Sequence, residues 1–276
     1  MGRIQRSLTP CPEPRMATAP LAAPPETTIA AHCRRIAERA RTASIDLAGI
    51  PGPLKAAALR AAATRIRADA AAILEANRKD VAAAPSFGLT AAAIDRLTLD
   101  PARIESIAKG LEAVAAQPDP VGEVLEETTR SDGLVIRKIR VPLGVVFFVY
   151  ESRPNVTADA AAVALASGNA IILRGGKEAS ASSARIVTSV RAGLTEAGLP
   201  EDSVQLVDIP DREAVGEFLK LDDLIDVAIP RGGEGLIRRV CAEARMPVLK
   251  HFTGNCHVYV DRAADLAMAE SITVNA

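Results

Sequence analysis

Between Pro53 and Ala83 the apolar residues Leu59, Ala62, Ile66, Ile73 and Leu74 recur at three- and four-residue steps, with Lys, Arg and Asp between them. That spacing predicts one buried helix face. Helices are expected throughout 28–117. Ile50-Pro51-Gly52-Pro53 separates the Pro53–Ala83 helix from the one before it, and Gln117-Pro118-Asp119-Pro120 closes the series. Asp100-Pro101 opens the last helix of the group, because Asp caps and Pro suits the first helical position. The period then shortens. Residues 121–141 read as a hairpin, Glu123–Thr128 and Leu134–Arg137 around a turn containing Asp132-Gly133. A solitary hairpin is marginally stable in water, so this one is expected to pack on something, another subunit being one candidate.

From Leu143 the chain alternates between the two periods. Leu143–Tyr150 is a continuous apolar run, the kind buried on both faces of a parallel sheet. Pro154–Ser167 reads as a helix, Ala170–Leu173 as a strand, and Gly176–Ala197 as a helix ended by Gly198-Leu199-Pro200. Strand Val204–Val207, helix Asp211–Leu219, strand Ile225–Ile229 and helix Gly235–Ala244 follow, with Pro247–Leu249 and His257–Val260 as further strands. This rhythm predicts an α/β fold with a doubly wound, mostly parallel, Rossmann-like sheet over 143–260.

Composition narrows the function. With 33 Lys+Arg against 34 Asp+Glu, the net charge of −1 lacks the basic excess of a nucleic-acid protein. No apolar stretch approaches the ~20 residues of a membrane helix, so no membrane partner is expected. Cys11, Cys33, Cys241 and Cys256 form no metal-ligand spacing, and no metal is expected. No apolar signal region follows the first arginines, which favours a reducing cytoplasm. Residues 1–27 hold six of the 18 prolines and are expected to be a disordered leader. Arg3, Arg6 and Arg15 hint at a transit peptide, and Met16 is an alternative start.

One feature occurs twice. Arg174-Gly175-Gly176-Lys177 follows one predicted strand, Arg231-Gly232-Gly233 follows another, and a helix comes after each. Glycines let backbone approach a ligand closely, the next helix's unpaired N–H groups favour an anion, and Arg or Lys adds a charge-assisted bond. The bland alternative is a tight turn. Neither sequence fits the dinucleotide fingerprint or the P-loop. Taken together they point to a phosphorylated or dinucleotide ligand held by both turns in one crevice.

Five ordered blocks carry a resemblance. They are Arg140–Val145, Tyr150–Thr157, Ser167–Glu178, Ile229–Gly233 and Gly254–Asp261. In these the chain resembles the gamma-glutamyl phosphate reductases (glutamate-5-semialdehyde dehydrogenases) of the aldehyde dehydrogenase superfamily, and Asp95-Arg96-Leu97 and Asp119–Gly122 also fit. The resemblance implies an aldehyde dehydrogenase-type fold and a homo-oligomer. It also implies NADPH-dependent reduction of L-glutamyl 5-phosphate to glutamate 5-semialdehyde, with phosphate release, in proline biosynthesis. A cysteine thiolate would displace phosphate to give a thioester, which hydride converts to the aldehyde. The resemblance makes Asn155 the oxyanion-hole residue, with capping of the helix opened by Pro154 as its alternative role. Arg174 and Lys177 would lie beside the adenosine ribose, where a 2′-phosphate favours NADPH, with Gly175 and Gly176 in the same turn. Arg231, Gly232 and Gly233 would border the pyrophosphate and nicotinamide.

The nucleophile departs from that pattern. In the family the reactive cysteine lies in a segment resembling K-T-Q-R-P-S-x-C-N, directly after a stretch like Ile272–Ala276, where this sequence stops. Cys256 matches a cysteine the family does not use, and a packed core cysteine is the expected reading of it. Residues 28–260 are therefore expected to be the NADPH-binding domain and 261–276 the start of a truncated catalytic domain. The chain alone is then expected to be inactive and, with an apolar sheet edge exposed, poorly soluble. A non-catalytic nucleotide-binding module and a fragment pairing with a full-length subunit through the hairpin stand beside the reductase reading.

Overall fold

The computed structural model describes residues 28–151, 153–209, 211–250 and 257–275; the leader 1–27 and Cys256 lie outside them. Helices α1 (Ile29–Ala48), α2 (Gly52–Ala68), α3 (Ala70–Ala83), α4 (Ala91–Leu97) and α5 (Pro101–Ala115) open the chain. Asp100 caps α5 as its pattern predicts, its carboxylate accepting from the Arg103 amide at 2.7 Å.

Two local expectations change. The single helix over Pro53–Ala83 is broken at Asp69 (φ −88°, ψ 7°). An Asp competes with the helical backbone for hydrogen bonds, and at this break its carboxylate takes the Ser189 hydroxyl at 2.7 Å. A 3₁₀ turn over Ala84–Phe87 and the short α4 then fill a stretch whose pattern distinguishes no separate elements.

Strands β1 (Val124–Thr129) and β2 (Val135–Ile139) form the expected antiparallel hairpin. Every residue of both strands is exposed. Strand β3 (Val145–Tyr150), α6 (Pro154–Ala166), β4 (Ala170–Arg174), α7 (Ser180–Glu196), β5 (Val204–Leu206), α8 (Glu213–Phe218), β6 (Val227–Arg231), α9 (Glu234–Glu243) and α10 (Leu266–Asn275) complete the described chain. The sheet is parallel, in order β5-β4-β3-β6. From β3 the chain winds outward through β4 and β5, then returns to the far side of β3. The topological switch point, where open α/β sheets hold ligands, is thus the carboxyl end of β3 beside β6. Pro247–Leu249 contributes only one bridge, Ala228 to Val248, and His257–Val260 is not a strand. Val258, Tyr259 and Val260 are exposed, so no second sheet face rewards extension there.

Alternate residues of the central strands enter two cores. Val146, Tyr150, Ile171, Leu173 and Val227 pack with α2, α5, α6 and α7. Val145, Phe147, Val149, Ile172 and Ala228 pack with α1, α8 and α9. Burial on both faces explains the unbroken apolar run of β3. Gly193 lets α7 lie against α2: a Cβ there would sit 2.3 Å from the Ala62 nitrogen.

Candidate functional site

Arg174 and Arg231 each end a strand, yet they leave opposite faces of the sheet. Arg174 is in register with Val149, and Arg231 with Tyr150, the next residue of the same central strand. Because neighbours in register share a face, Arg174 emerges on the α1/α8 side and Arg231 on the α5/α6 side. The strands carrying them are not adjacent, since β3 stands between. The expectation of one common crevice is corrected accordingly: each turn lines its own cleft.

The first cleft, about 350 Å³, is lined by Arg174, Gly175, Gly176 and Lys177, by Ser183 of α7, and by Asp208 beyond β5. The Arg174 guanidinium is turned inward, donating to the carbonyls of Gly175 and, at 3.4 Å, Asp211. Burial, with Arg212 and Arg239 nearby, holds its pKa below the usual arginine value. Lys177 is exposed, its ammonium 5.3 Å from the centre of the Phe87 ring. Gly175 lies over the Tyr150 hydroxyl, where a Cβ would come within 3.0 Å. That hydroxyl pairs with Thr157 at 2.6 Å, and Thr157 with Ser183 at 3.2 Å. Burial pushes the Tyr150 phenol pKa upward. Asp208 meets His32 Nε2 at 2.8 Å.

The second cleft, about 540 Å³, lies at the switch point. Arg231 and Gly232 line it with Arg96, Arg153, Asn155 and Glu151. Asn155 is the second residue of α6 and does not cap it; Arg153 holds the cap position. The Asn155 amide instead donates to Asp159 at 3.1 Å. Loss of hydration raises the Asp159 carboxyl pKa, an effect the Asn155 bond opposes.

Both helix N-termini expected to receive anions already hold a carboxylate of this chain. A 3₁₀ turn over Lys177–Ala179 delays the start of α7 to Ser180. There buried Asp80 of α3 accepts from Ala181 N (3.2 Å), Ser182 N (2.7 Å) and the Ser182 hydroxyl (2.6 Å). At α9 the exposed Glu151 accepts from Gly233 N at 3.0 Å. Gly232 gives it room, since a Cβ would sit 2.5 Å from that carboxyl group. Asp80 escapes sequence reading because it acts across 101 residues on another helix. Arg96, Glu151 and Arg153 fall in the family-like blocks but carry no pattern that distinguishes them.

Neither described cysteine lines these clefts. Cys33 is fully buried on α1, and burial, aided by Glu217, pushes its thiol up to about 11. Cys241 is half-buried on α9. Among the described residues no cluster of His, Cys, Asp or Glu could hold a metal ion, and no helix is long and apolar enough to cross a membrane.

A gamma-glutamyl phosphate reductase of Rhizorhabdus wittichii is 59% identical over 238 residues, which is 86% of this chain and 56% of that protein. The crystal structure of gamma-glutamyl phosphate reductase from Thermotoga maritima superposes with a TM-score of 0.82 at 41% identity, covering 88% of this chain and 59% of that one. Its counterpart from Saccharomyces cerevisiae gives a TM-score of 0.73 at 35% identity, over 88% and 62% of the two chains. This chain therefore spans between half and two thirds of each relative. The aldehyde dehydrogenase family pattern matches residues 10–276. With the parallel sheet and its two terminal clefts, that match settles the kinship: the chain belongs to the aldehyde dehydrogenase family.

Proposed function

We propose that this chain serves the NADPH-dependent reduction of L-glutamyl 5-phosphate to glutamate 5-semialdehyde and phosphate, a step of proline biosynthesis in the cytoplasm. The observation that carries the reading is the Asn155 amide opening onto an arginine-rich cleft at the switch point. An amide nitrogen has two N–H donors. One holds Asp159, which fixes the side chain, and the other remains for a carbonyl oxygen that gains charge as it becomes tetrahedral. Asp159 is then a positioning residue.

The first cleft fits the adenosine half of a dinucleotide. Its volume is in the range of small-ligand sites, about 300–1,000 Å³, and Gly175 and Gly176 present backbone without side chains to it. Lys177 supplies a cation for a 2′-phosphate. Asp208 in the same cleft favours a ribose hydroxyl, so use of NADH is the second reading. Arg174 acts through the backbone of the turn, bonded as it is to Gly175. Gly233 offers its N–H to a pyrophosphate only after Glu151 swings away. When bound, the reduced nicotinamide supplies hydride; the residues named here bind, orient and stabilise charge. The exposed apolar residues of the hairpin, Val124, Leu125, Val135 and Ile136 among them, support a homo-oligomer in which it packs on another subunit.

Fluorescence titration tests the cofactor assignment. NADPH is expected to bind more tightly than NADH, and Lys177→Ala to close the gap. Absence of binding at millimolar NADPH would overturn the reading; a preference for NADH would select the Asp208 alternative.

A further inference from the structure

We infer that Arg96 and Arg153 form the recognition site for the phosphoryl group of a small acyl phosphate, an inference that rests on the reductase reading above. Both line the 540 Å³ cleft beside Asn155, and both also line the adjoining cleft of about 340 Å³ toward α5.

The argument is one of pairing. Many arginines elsewhere are matched to carboxylates, among them Arg39 with Asp202, Arg67 with Glu105 and Glu112, and Arg191 with Asp202. Each carboxylate near Arg96 and Arg153 is engaged by another group. Asp95, next to Arg96 in sequence, is bonded by Arg103 at 3.0 Å. Asp159 holds Asn155, and Glu151 holds the Gly233 amide. Neither the Arg96 nor the Arg153 guanidinium makes an ion pair or side-chain hydrogen bond with a described residue. Two cations left beside already satisfied anions make a cleft suited to a dianion, and a guanidinium fork matches phosphate geometry.

Their supports are rigid. Arg96 is in the last turn of α4, whose exit is clamped by the buried Asn77. That side chain donates to Leu97 O at 2.9 Å and to the Ser182 hydroxyl at 3.0 Å, and accepts from Leu99 N at 2.7 Å. Arg103 adds a bond to Thr98 O at 2.6 Å. Arg153 takes the cap position of α6, a helix end with no side-chain cap, so the helix dipole also favours an anion there. The phosphoryl group would then lie beside the oxyanion donor Asn155, as an acyl carbon bearing that group requires.

The test is a titration of inorganic phosphate into the full chain saturated with NADPH, at constant ionic strength, followed by calorimetry. Arg96→Gln and Arg153→Gln are each expected to weaken phosphate about tenfold, and the pair to abolish binding, as loss of a charge-assisted bond would. Arg153→Lys should recover part of the loss. NADPH affinity should stay within about twofold, since the first cleft and the Gly233 amide are both untouched. Phosphate affinity unchanged in the double variant, or phosphate displaced by NADPH, would overturn the assignment. If the native chain bound phosphate with the expected sensitivity to both variants but failed to bind NADPH, the anion site would stand and the cofactor reading would fall.

Discussion

The two arginine-diglycine turns share a sequence and a position, the carboxyl end of a parallel strand, and differ in almost every physical respect. The β4 turn is built into the protein. Arg174 bonds backbone carbonyls, Gly175 presses on the buried Tyr150 hydroxyl, and the following helix is capped by buried Asp80. The β6 turn is open. Arg231 is exposed, Gly232 faces the carboxyl end of the exposed Glu151 side chain, and the following helix holds that same carboxylate. A motif fixes a backbone shape; burial decides whether the helix N-terminus behind it is sealed by the protein or left where a ligand can compete.

The largest expected difference lies at the two helix caps. Asp80→Ala removes three bonds and strands the Ala181 amide together with the amide and hydroxyl of Ser182, a residue that is 0% exposed. A loss of about 3 kcal/mol in denaturant stability is expected, since bonds to a charged acceptor contribute most when buried. Glu151→Ala, which removes the equivalent cap at the open turn, should cost less than about 0.5 kcal/mol. Equal losses would break the distinction between built-in and open turns.

Alanine at the leading glycine of each turn should separate them again. At Gly175 the new methyl meets Tyr150 oxygen at 3.0 Å and its ring carbon at 3.1 Å. That ring is 2% exposed and tied to Thr157, so overpacking of about 1–2 kcal/mol follows. At Gly232 the clash is closer, 2.5 Å, yet it is with the far end of the exposed Glu151 side chain, which can rotate away at the loss of one exposed bond. Thermal denaturation of the two variants should therefore rank them in the reverse order of their contact distances.

Tyr150 also makes the closed turn sensitive to alkali. Burial raises its folded pKa above the unfolded value of about 10. A raised folded pKa contributes stability that is full below the unfolded pKa and is lost as pH rises through the folded one. Stability should therefore fall above about pH 10 more steeply in the native chain than in Tyr150→Phe. Parallel stability–pH curves for the two proteins would show that the phenol is not sealed beneath Gly175.

The strands, the hairpin and the glycine turns are legible in the sequence because each rests on local chemistry. Runs such as Val145–Tyr150 are apolar on both faces, and Asp132-Gly133 between two strand-like runs is a local hairpin signal, with Gly133 at φ 86°. What separates the two turns is not local. Arg174 and Arg231 are both the fifth residue of their strand. Yet β4 begins opposite Val145 and β6 opposite Val146. That offset of one residue sends the two arginines to opposite faces, because side chains alternate with period two. Register across β3 is a tertiary fact, set by which helices cover each face, and no window of sequence contains it. The break at Asp69 and the placement of Asp80 are hidden for the same reason: their partners, Ser189 and Ser182, lie more than a hundred residues away.

The smallest effect bears most directly on function. Glu151 holds the Gly233 amide at 3.0 Å from an exposed position, so any anionic ligand of the β6 turn must first displace it. Replacing it by Gln keeps the size and an acceptor oxygen while removing the charge that opposes the ligand. An exposed charge at a helix N-terminus is worth about 0.3–1 kcal/mol, so dinucleotide affinity should tighten about two- to fivefold. The gain should shrink as salt is added, because exposed charges are screened within about 10 Å at 0.1 M. Asp80→Asn offers the contrast, since that carboxylate is buried and competes with no ligand; its affinity should not rise. If dissociation constants at low salt were the same for Glu151→Gln and the native chain, the Gly233 amide would be as closed to ligands as the α7 amides held by Asp80.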